Sequence, residues 1–572
     1  MSLTHTEPTR LSAVIFSCKT TLLKARRAVV DLSSSQLKRH KRIQSSLELP
    51  IVSHSHSALW SHDNPAETTL TAGKVQNLRI ACRALNLTYI PAGETFSFWK
   101  QIGRTTKTKG YVTGRELREG CIIPTLGGGL CQLSNALYDA ALKTGSRIIE
   151  RHAHSQVIPG SLSELNRDAT VYWNYVDLRF TTSFDLLIEA KLTKDQLIIT
   201  FRGTPPGPLK ESKPEKQESP QIPIGNCYSC NVTSCFRNAP QTPDAIRFGK
   251  TAALVDAVTP EFKKYIMQRL NQGDHLLSPI STRFFPSYLW SAPKNVAVKQ
   301  CPLTAIKKAI QLRRIPKQGK ALQETLLRYD RLLAESYAKK LDYSVSHLII
   351  SINLLPHLWE AGVLGGRTFD VLAHRSPISK IQEQLNQAHL LHPQSTTLTD
   401  FRAVEKYLKL EQEALLHANR IISPHSYICG QFENHQQLDW IAPAPQPVTV
   451  RTNSRKKIFF PASALGRKGI YELVEALKDK DIELLILGNA DEGSSCPLGK
   501  FNWRKASISD MADCDLVILP AHVEHSPRPL LRALSLGIQV IATKACGLPE
   551  QKNLMLLDSP DDLVREIDKF LI

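Results

Sequence analysis

The chain of 572 residues lacks any run of about 18 apolar residues, the length a membrane span needs. Its longest early apolar run, "LSAVIF", is too short for the core of an export signal, and no small-residue cleavage site follows it. A cytoplasmic protein is the expectation. The 12 cysteines are scattered apart from one cluster, which argues for free thiols rather than a disulfide frame. Acidic residues are short, 53 against 72 Lys and Arg, giving a net charge of +19. That balance suits anionic partners such as phosphates, nucleotide sugars or anionic lipid. No stacking platform or nucleic-acid motif accompanies it, so nucleic acid is not expected as a partner. No internal repeat is found.

Composition shifts predict five segments. Residues 1–64 form a basic arm, with nine Lys/Arg against three Asp/Glu in the first fifty. It reads as a partly helical, solvated arm, or as one lying on an anionic membrane surface. Residues 65–202 predict an α+β domain, a central helix on an antiparallel sheet. Residues 203–244 open with six prolines in "GTPPGPLKESKPEKQESPQIPI", a linker. Residues 245–440 and 441–572 alternate short buried-type strands ("HLIISIN", "TFDVLAH", "KKIFFPA", "IELLILG", "DLVILPA", "QVIAT") with helices. Two Rossmann-like α/β halves are expected.

Three groups of residues carry candidate chemistry. In "TLGGGLCQLSNALYDAALKTG" a cysteine, Cys131, opens a helix after three glycines. Leu130, Leu133, Leu137 and Ala141 mark the buried face, placing Cys131 with Ser134, Asn135 and Tyr138 on the other. A thiol there feels the positive helix end, and the glycines leave room for a substrate beside the backbone. If "ERHAHSQ" and "VYWNYVDLRF" are strands, His152 and His154 share one face, and Asp177 shares another with Trp173 and Tyr175. Helix, strand, strand would then supply Cys, His and Asp for nucleophilic catalysis. The alternatives are a buried structural cysteine and a metal site of Cys131 with the two histidines. Separately, Cys227, Cys230 and Cys235 in "NCYSCNVTSCFRN" suit a zinc knuckle or an iron–sulfur cluster, or are three reduced thiols in a connector.

The third group lies near the C-terminus. Gly466, Arg467, Lys468 and Gly469 sit where a strand passes into a helix, a place for a diphosphate or simply a basic surface turn. Glu524 and His525 follow a later strand, at the strand end where open α/β sheets bind ligands. In the preceding half His357 and His374 flank a strand on what would be the acceptor side.

Two resemblances add to this reading. "IPAGETFSFWKQIGRTTKTKGYV", "GGGLCQLSNALY", "ERHAHS" and "YWNYVDLRF", in that order, resemble the VanW family. That resemblance implies Cys131 as nucleophile, His152 or His154 as its base and Asp177 as the orienting carboxylate. "GRKGIYELVEAL" and "VEHSPRPLLRALSLGIQVIAT" are similar to segments of retaining GT-B glycosyltransferases that use nucleotide sugars. It implies Lys468 on the donor diphosphate and Glu524 on the donor sugar. Arg532 stands where that family places a second, ribose-holding glutamate, and Ser463 where it places an arginine. The combined expectation is a fusion enzyme moving a sugar from a nucleotide-sugar donor to a glycan or lipid-linked envelope acceptor. The alternative is a non-catalytic scaffold that binds nucleotide sugars or glycans.

Overall fold

The computed structural model describes residues 10–33, 37–43, 49–60, 68–118, 121–154, 161–214, 248–280, 290, 294–316, 319–400, 402–444, 456–489, 492–499 and 501–571. Cys227, Cys230 and Cys235 lie outside the described residues. The chain folds as two compact units. The first holds residues up to 250 with 341–346 and 361–368, and the second holds the remainder.

In the first unit a four-stranded antiparallel sheet runs in the order Ile51–Ala58, Gln196–Gly203, Leu186–Leu192, Thr88–Ile90. Helices Thr68–Leu85 and Cys131–Lys143 bury Leu78, Leu85, Leu133 and Leu137 in one core with Ile188, Ile199 and Phe201 of the sheet. The strand Gln196–Gly203 alternates in burial, placing Leu197, Ile199 and Phe201 on the core face.

Three local expectations fail for physical reasons. The strand at "SRIIERHAHS" stops at Glu150, before both histidines. "VYWNYVDLRF" is not a continuous strand. Residues Tyr172–Val176 close a tight turn on Asn174 at φ 52°, and the strand begins at Arg179. Face-sharing by alternation therefore does not apply to Asp177. On the "polar" side of the Cys131 helix Ser134 and Tyr138 are buried, 0% and 1% exposed, and Cys131 and Asn135 half-buried, because the segment after Asp168 packs on it.

The basic arm is helical over Arg10–Ser33 and its inner side is engaged. Arg27 forks onto Glu150, Asp31 pairs with Arg179 at 2.9 Å, and Asn174 Nδ2 donates to the Lys24 carbonyl at 2.9 Å. It is a docked helix rather than a solvated arm. Among the described residues no helix is long and apolar enough to cross a membrane.

The second unit carries two sheets of the same topology. Numbered along the chain, the six strands Lys456–Phe460, Ile482–Ile486, Trp503–Lys505, Leu516–Leu519, Gln539–Thr543 and Leu554–Leu557 lie in the order 3-2-1-4-5-6, all parallel. The preceding sheet repeats the order over Lys250–Leu254, His275–Ser278, Ala297–Gln300, Val345–Ser351, Thr368–Leu372 and Arg420–Ser423, then adds His435–Gln437 at the edge. Strands buried on both faces read as continuous apolar runs, which is why "IFF", "LVIL" and "VIA" were legible. In such a sheet the crevice opens where strand order reverses, beyond the carboxyl ends of strands 1 and 4. In the C-terminal half those are Lys456–Phe460 and Leu516–Leu519.

Candidate functional site

The chain after Phe460 forms a short 3₁₀ turn, Gly466–Lys468, and passes through Gly469 into helix Ile470–Ala476. Gly469 is required: its φ is +79°, and a Cβ there would lie 1.9 Å from the Pro520 carbonyl oxygen. That close approach brings the loop after Leu519 against the turn. His522 N and Val523 N donate to the Arg467 carbonyl at 3.1 and 3.2 Å. Lys468 Nζ then reaches the Val523 carbonyl at 3.0 Å and Glu524 Oε2 at 2.8 Å. Buried Glu492 fixes the turn from below, accepting from Gly466 N at 2.5 Å, Ser395 Oγ at 2.7 Å and Tyr471 OH at 3.1 Å.

Burial pushes the Glu524 carboxyl up, but the Lys468 ammonium and the Ser526 and His525 backbone N–H groups outweigh it, so it lies below the ordinary carboxylate range. An anionic Glu524 therefore faces a cationic Lys468 at the switch point. Behind them, His425 Nε2 lies 2.8 Å from the Glu524 carbonyl oxygen and donates to it. Burial pulls the His425 ring down to about 4 and His525 well below its usual value, so both are neutral. Arg532 is exposed on helix Arg528–Ser535, and Ser463 Oγ accepts from Asn489 N at 3.3 Å.

At the corresponding switch point of the N-terminal half the structure gathers polar groups that the sequence reading missed apart from His374. Asn353 Nδ2 donates to Asp256 Oδ2 at 2.8 Å and lies 3.2 Å from His374 Nε2. Arg375 Nε donates to Asn353 Oδ1 at 2.8 Å and its Nη2 to Glu411 at 2.7 Å. Asp256, Asn353, His374 and Arg375 each follow a strand end, the signal that would have found them, whereas Glu411 lies within helix Glu405–Leu416. His357, by contrast, is packed edge-on to Tyr407 and burial takes it down to about 4.

In the first unit the residue joined to His154 is Asp168. His154 Nδ1 and its backbone N both lie 2.6 Å from Asp168 Oδ2, and Arg151 Nη2 holds Oδ1 at 2.8 Å. Burial opposes protonation of His154, but Asp168 and a hydrogen bond with Cys131 raise it to about 10. Ser134 Oγ donates to the Ala169 carbonyl and Asn135 Oδ1 accepts from Ala169 N, so the helix of Cys131 itself positions the strip bearing Asp168. Asp177 is occupied elsewhere: it accepts from Ser97 Oγ at 2.6 Å, Trp99 N at 3.1 Å and Arg179 Nε at 2.8 Å. His152 is exposed, its ring 3.4 Å from Glu150. The glycines before Cys131 serve packing more than access, since a Cβ on Gly129 (φ +98°) would lie 2.1 Å from Cγ of buried Lys74.

The α+β domain thus holds a Cys–His–Asp cluster, and the double Rossmann-type unit a Lys–Glu pair at a switch point. Residues 73–202 match the family model described as VanW like protein, and residues 446–571 match that of glycosyl transferases group 1. The uncharacterized protein YoaR of Bacillus subtilis is 33% identical over 127 residues, 22% of this chain and 41% of that protein. The vancomycin B-type resistance protein VanW of Enterococcus faecalis is 33% identical over 143 residues, 24% of this chain and 51% of that one. The chain thus spans about half or less of these curated relatives. Among solved structures, sucrose-phosphate synthase from Thermosynechococcus elongatus is 14% identical, covering 56% of this chain and 90% of its own, with a TM-score of 0.36.

Proposed function

We propose that the second unit transfers a sugar from a nucleotide-sugar donor to a sugar-containing cell-envelope acceptor. The observation that carries this is the Lys468–Glu524 pair, 2.8 Å apart at the switch point of a parallel sheet, within the segment matched to glycosyl transferases group 1. In transfer the bond between the anomeric carbon and the diphosphate oxygen breaks, the acceptor hydroxyl oxygen bonds that carbon, and the hydroxyl proton leaves with the departing nucleoside diphosphate. Lys468 exchanges Glu524 for the diphosphate and stabilises the charge that gathers on it as it leaves. Glu524, freed, accepts hydrogen bonds from donor sugar hydroxyls. Neutral His425 holds the Glu524 backbone in place. Gly466, Arg467 and Gly469 shape the turn, and Arg532, standing where a ribose-holding glutamate would be, alters the nucleoside preference. The acceptor approaches from the side of Asp256, Asn353 and Arg375. A lipid-linked acceptor at the inner membrane face belongs to this reading, since nucleotide sugars and such precursors meet in the cytoplasm.

The VanW-like domain supplies a second chemistry on the same chain. Cys131 beside the imidazolium of His154 is placed to act as the nucleophile in acyl transfer, its sulfur bonding the acyl carbon while His154 gives a proton to the leaving group and Asp168 orients the ring. Asp168 takes the place that the family motif offered to Asp177.

The test of the transferase is direct. UDP-, GDP-, ADP- and dTDP-linked sugars carrying a radiolabel are incubated with the chain and an envelope lipid extract. Label moving from one donor into the lipid or glycan fraction, and failing to move with Glu524→Gln, supports transfer. Label left on every nucleotide by a folded chain that still binds a donor favours the scaffold instead.

A further inference from the structure

Two imidazoles from separate parts of the second unit converge on one oxygen of a buried carboxylate. His392 Nε2 lies 2.8 Å and His522 Nε2 2.7 Å from Glu472 Oε1, and the three atoms fall within 4.8 Å of one another. Glu472 is 3% exposed, and its other oxygen, Oε2, is buried and accepts no hydrogen bond from any other residue. An ion-pair latch has no reason to crowd both imidazoles onto one oxygen and strand the other, because a carboxylate offers acceptor sites on both. A bare buried carboxylate oxygen is costly. The same arrangement suits a cation: two imidazole nitrogens and one carboxylate, facing a common point, with a second oxygen in reserve.

We propose that His392, Glu472 and His522 form a binding site for one zinc-type divalent cation. Two imidazoles with one carboxylate match the donor preference of zinc, whereas magnesium and calcium prefer oxygen ligands throughout. Around a tetrahedral ion with bonds of about 2.1 Å the donors sit about 3.4 Å apart, so each His–Glu pair opens by roughly 0.6 Å. His392 and His522 are the partly exposed members, with side chains 18% and 9% exposed, and have room to withdraw. The fourth position is left to water or to Glu472 Oε2. His392 follows helix Ile378–Leu391 of the N-terminal half, and its ring stacks on Tyr471 at 4.6 Å. Glu472 lies three residues beyond Gly469, and His522 two residues before Glu524. The ion would therefore clamp the two loops bearing Lys468 and Glu524 to a segment of the other half. The site stands on its own geometry, whether or not the transferase reading holds.

The experiment uses the full chain with Cys227, Cys230 and Cys235 changed to serine, so that the cysteine cluster contributes no metal. Zinc is titrated after exhaustive chelation, and stoichiometry is read by elemental analysis after gel filtration. Cobalt(II) substitution reports the coordination by its visible absorption. One equivalent of zinc, weakened about a hundredfold or more by His392→Ala and by His522→Ala, together with a tetrahedral cobalt spectrum, is expected. His392→Gln and His522→Gln serve if either alanine variant fails to fold, and Glu472→Gln should lose the cobalt spectrum. A folded chain that retains no zinc, or that binds it equally in the histidine variants, overturns the proposal and leaves the triad as a hydrogen-bonded latch.

Discussion

Asp168 Oδ2 lies 2.6 Å from His154 Nδ1, and that contact, not one to Asp177, sets the charge of the histidine beside Cys131. Removing the carboxylate charge should therefore weaken the whole pair. With Asp168→Asn and with His154→Ala, alkylation of Cys131 by iodoacetamide at pH 7 should slow about tenfold or more, because the sulfur loses the positive charge of the neighbouring imidazolium. Asp177→Asn should leave the rate near wild type while costing stability, since Asp177 serves Ser97, Trp99 and Arg179. Site-resolved mass spectrometry of the alkylated peptide is the readout. Equal slowing by Asp177→Asn would return the orienting role to that residue.

Lys74 makes a pH-dependent prediction. Burial, aided by Arg115, pulls its ammonium down to about 7, while an unfolded lysine titrates near 10.4. Between those values the unfolded chain holds a proton that the native chain does not, so wild-type stability rises with pH over that window and the cost is largest below pH 7. Lys74→Met should stabilise the chain by about 2 kcal/mol or more at pH 7, and the gap should shrink toward pH 10. Urea unfolding at several pH values checks this. A gap that stays constant from pH 7 to pH 10 would show that the lysine is charged in the native state.

Gly469→Ala should destabilise the second unit by at least about 2 kcal/mol, through the positive φ and the clash with the Pro520 carbonyl. Because that close approach seats the Glu524 loop, donor affinity should fall with stability. Thermal melts and donor titration on one protein batch read both effects. Retained affinity at wild-type melting temperature would mean the loop packs by other means.

The sequence showed the second unit well and the site in the first only in part. Strands such as Leu516–Leu519 are buried on both faces and announce themselves as apolar runs, so the alternation of strand and helix was readable. Cys131 and the "RHAH" motif were readable by type and spacing. Asp168 was not, because it sits in an irregular strip whose position depends on Ser134 and Asn135 across the helix. A continuous strand through Tyr172–Val176 would align Asp177 with Trp173 and Tyr175, but the left-handed Asn174 turns that segment back on itself. His392, Glu472 and His522 are 80 and 50 residues apart along the chain, a separation at which no local pattern signals contact.

Lys468 and Glu524, proposed as a nucleotide-sugar site, are best examined by calorimetric titration of UDP-, GDP-, ADP- and dTDP-sugars. At least one donor should bind the wild type saturably, and Lys468→Ala should weaken that binding by about 2 kcal/mol or more through loss of a charge-assisted contact. Absence of binding by all four donors to the folded wild type, or binding that Lys468→Ala leaves unchanged, would contradict the proposed site.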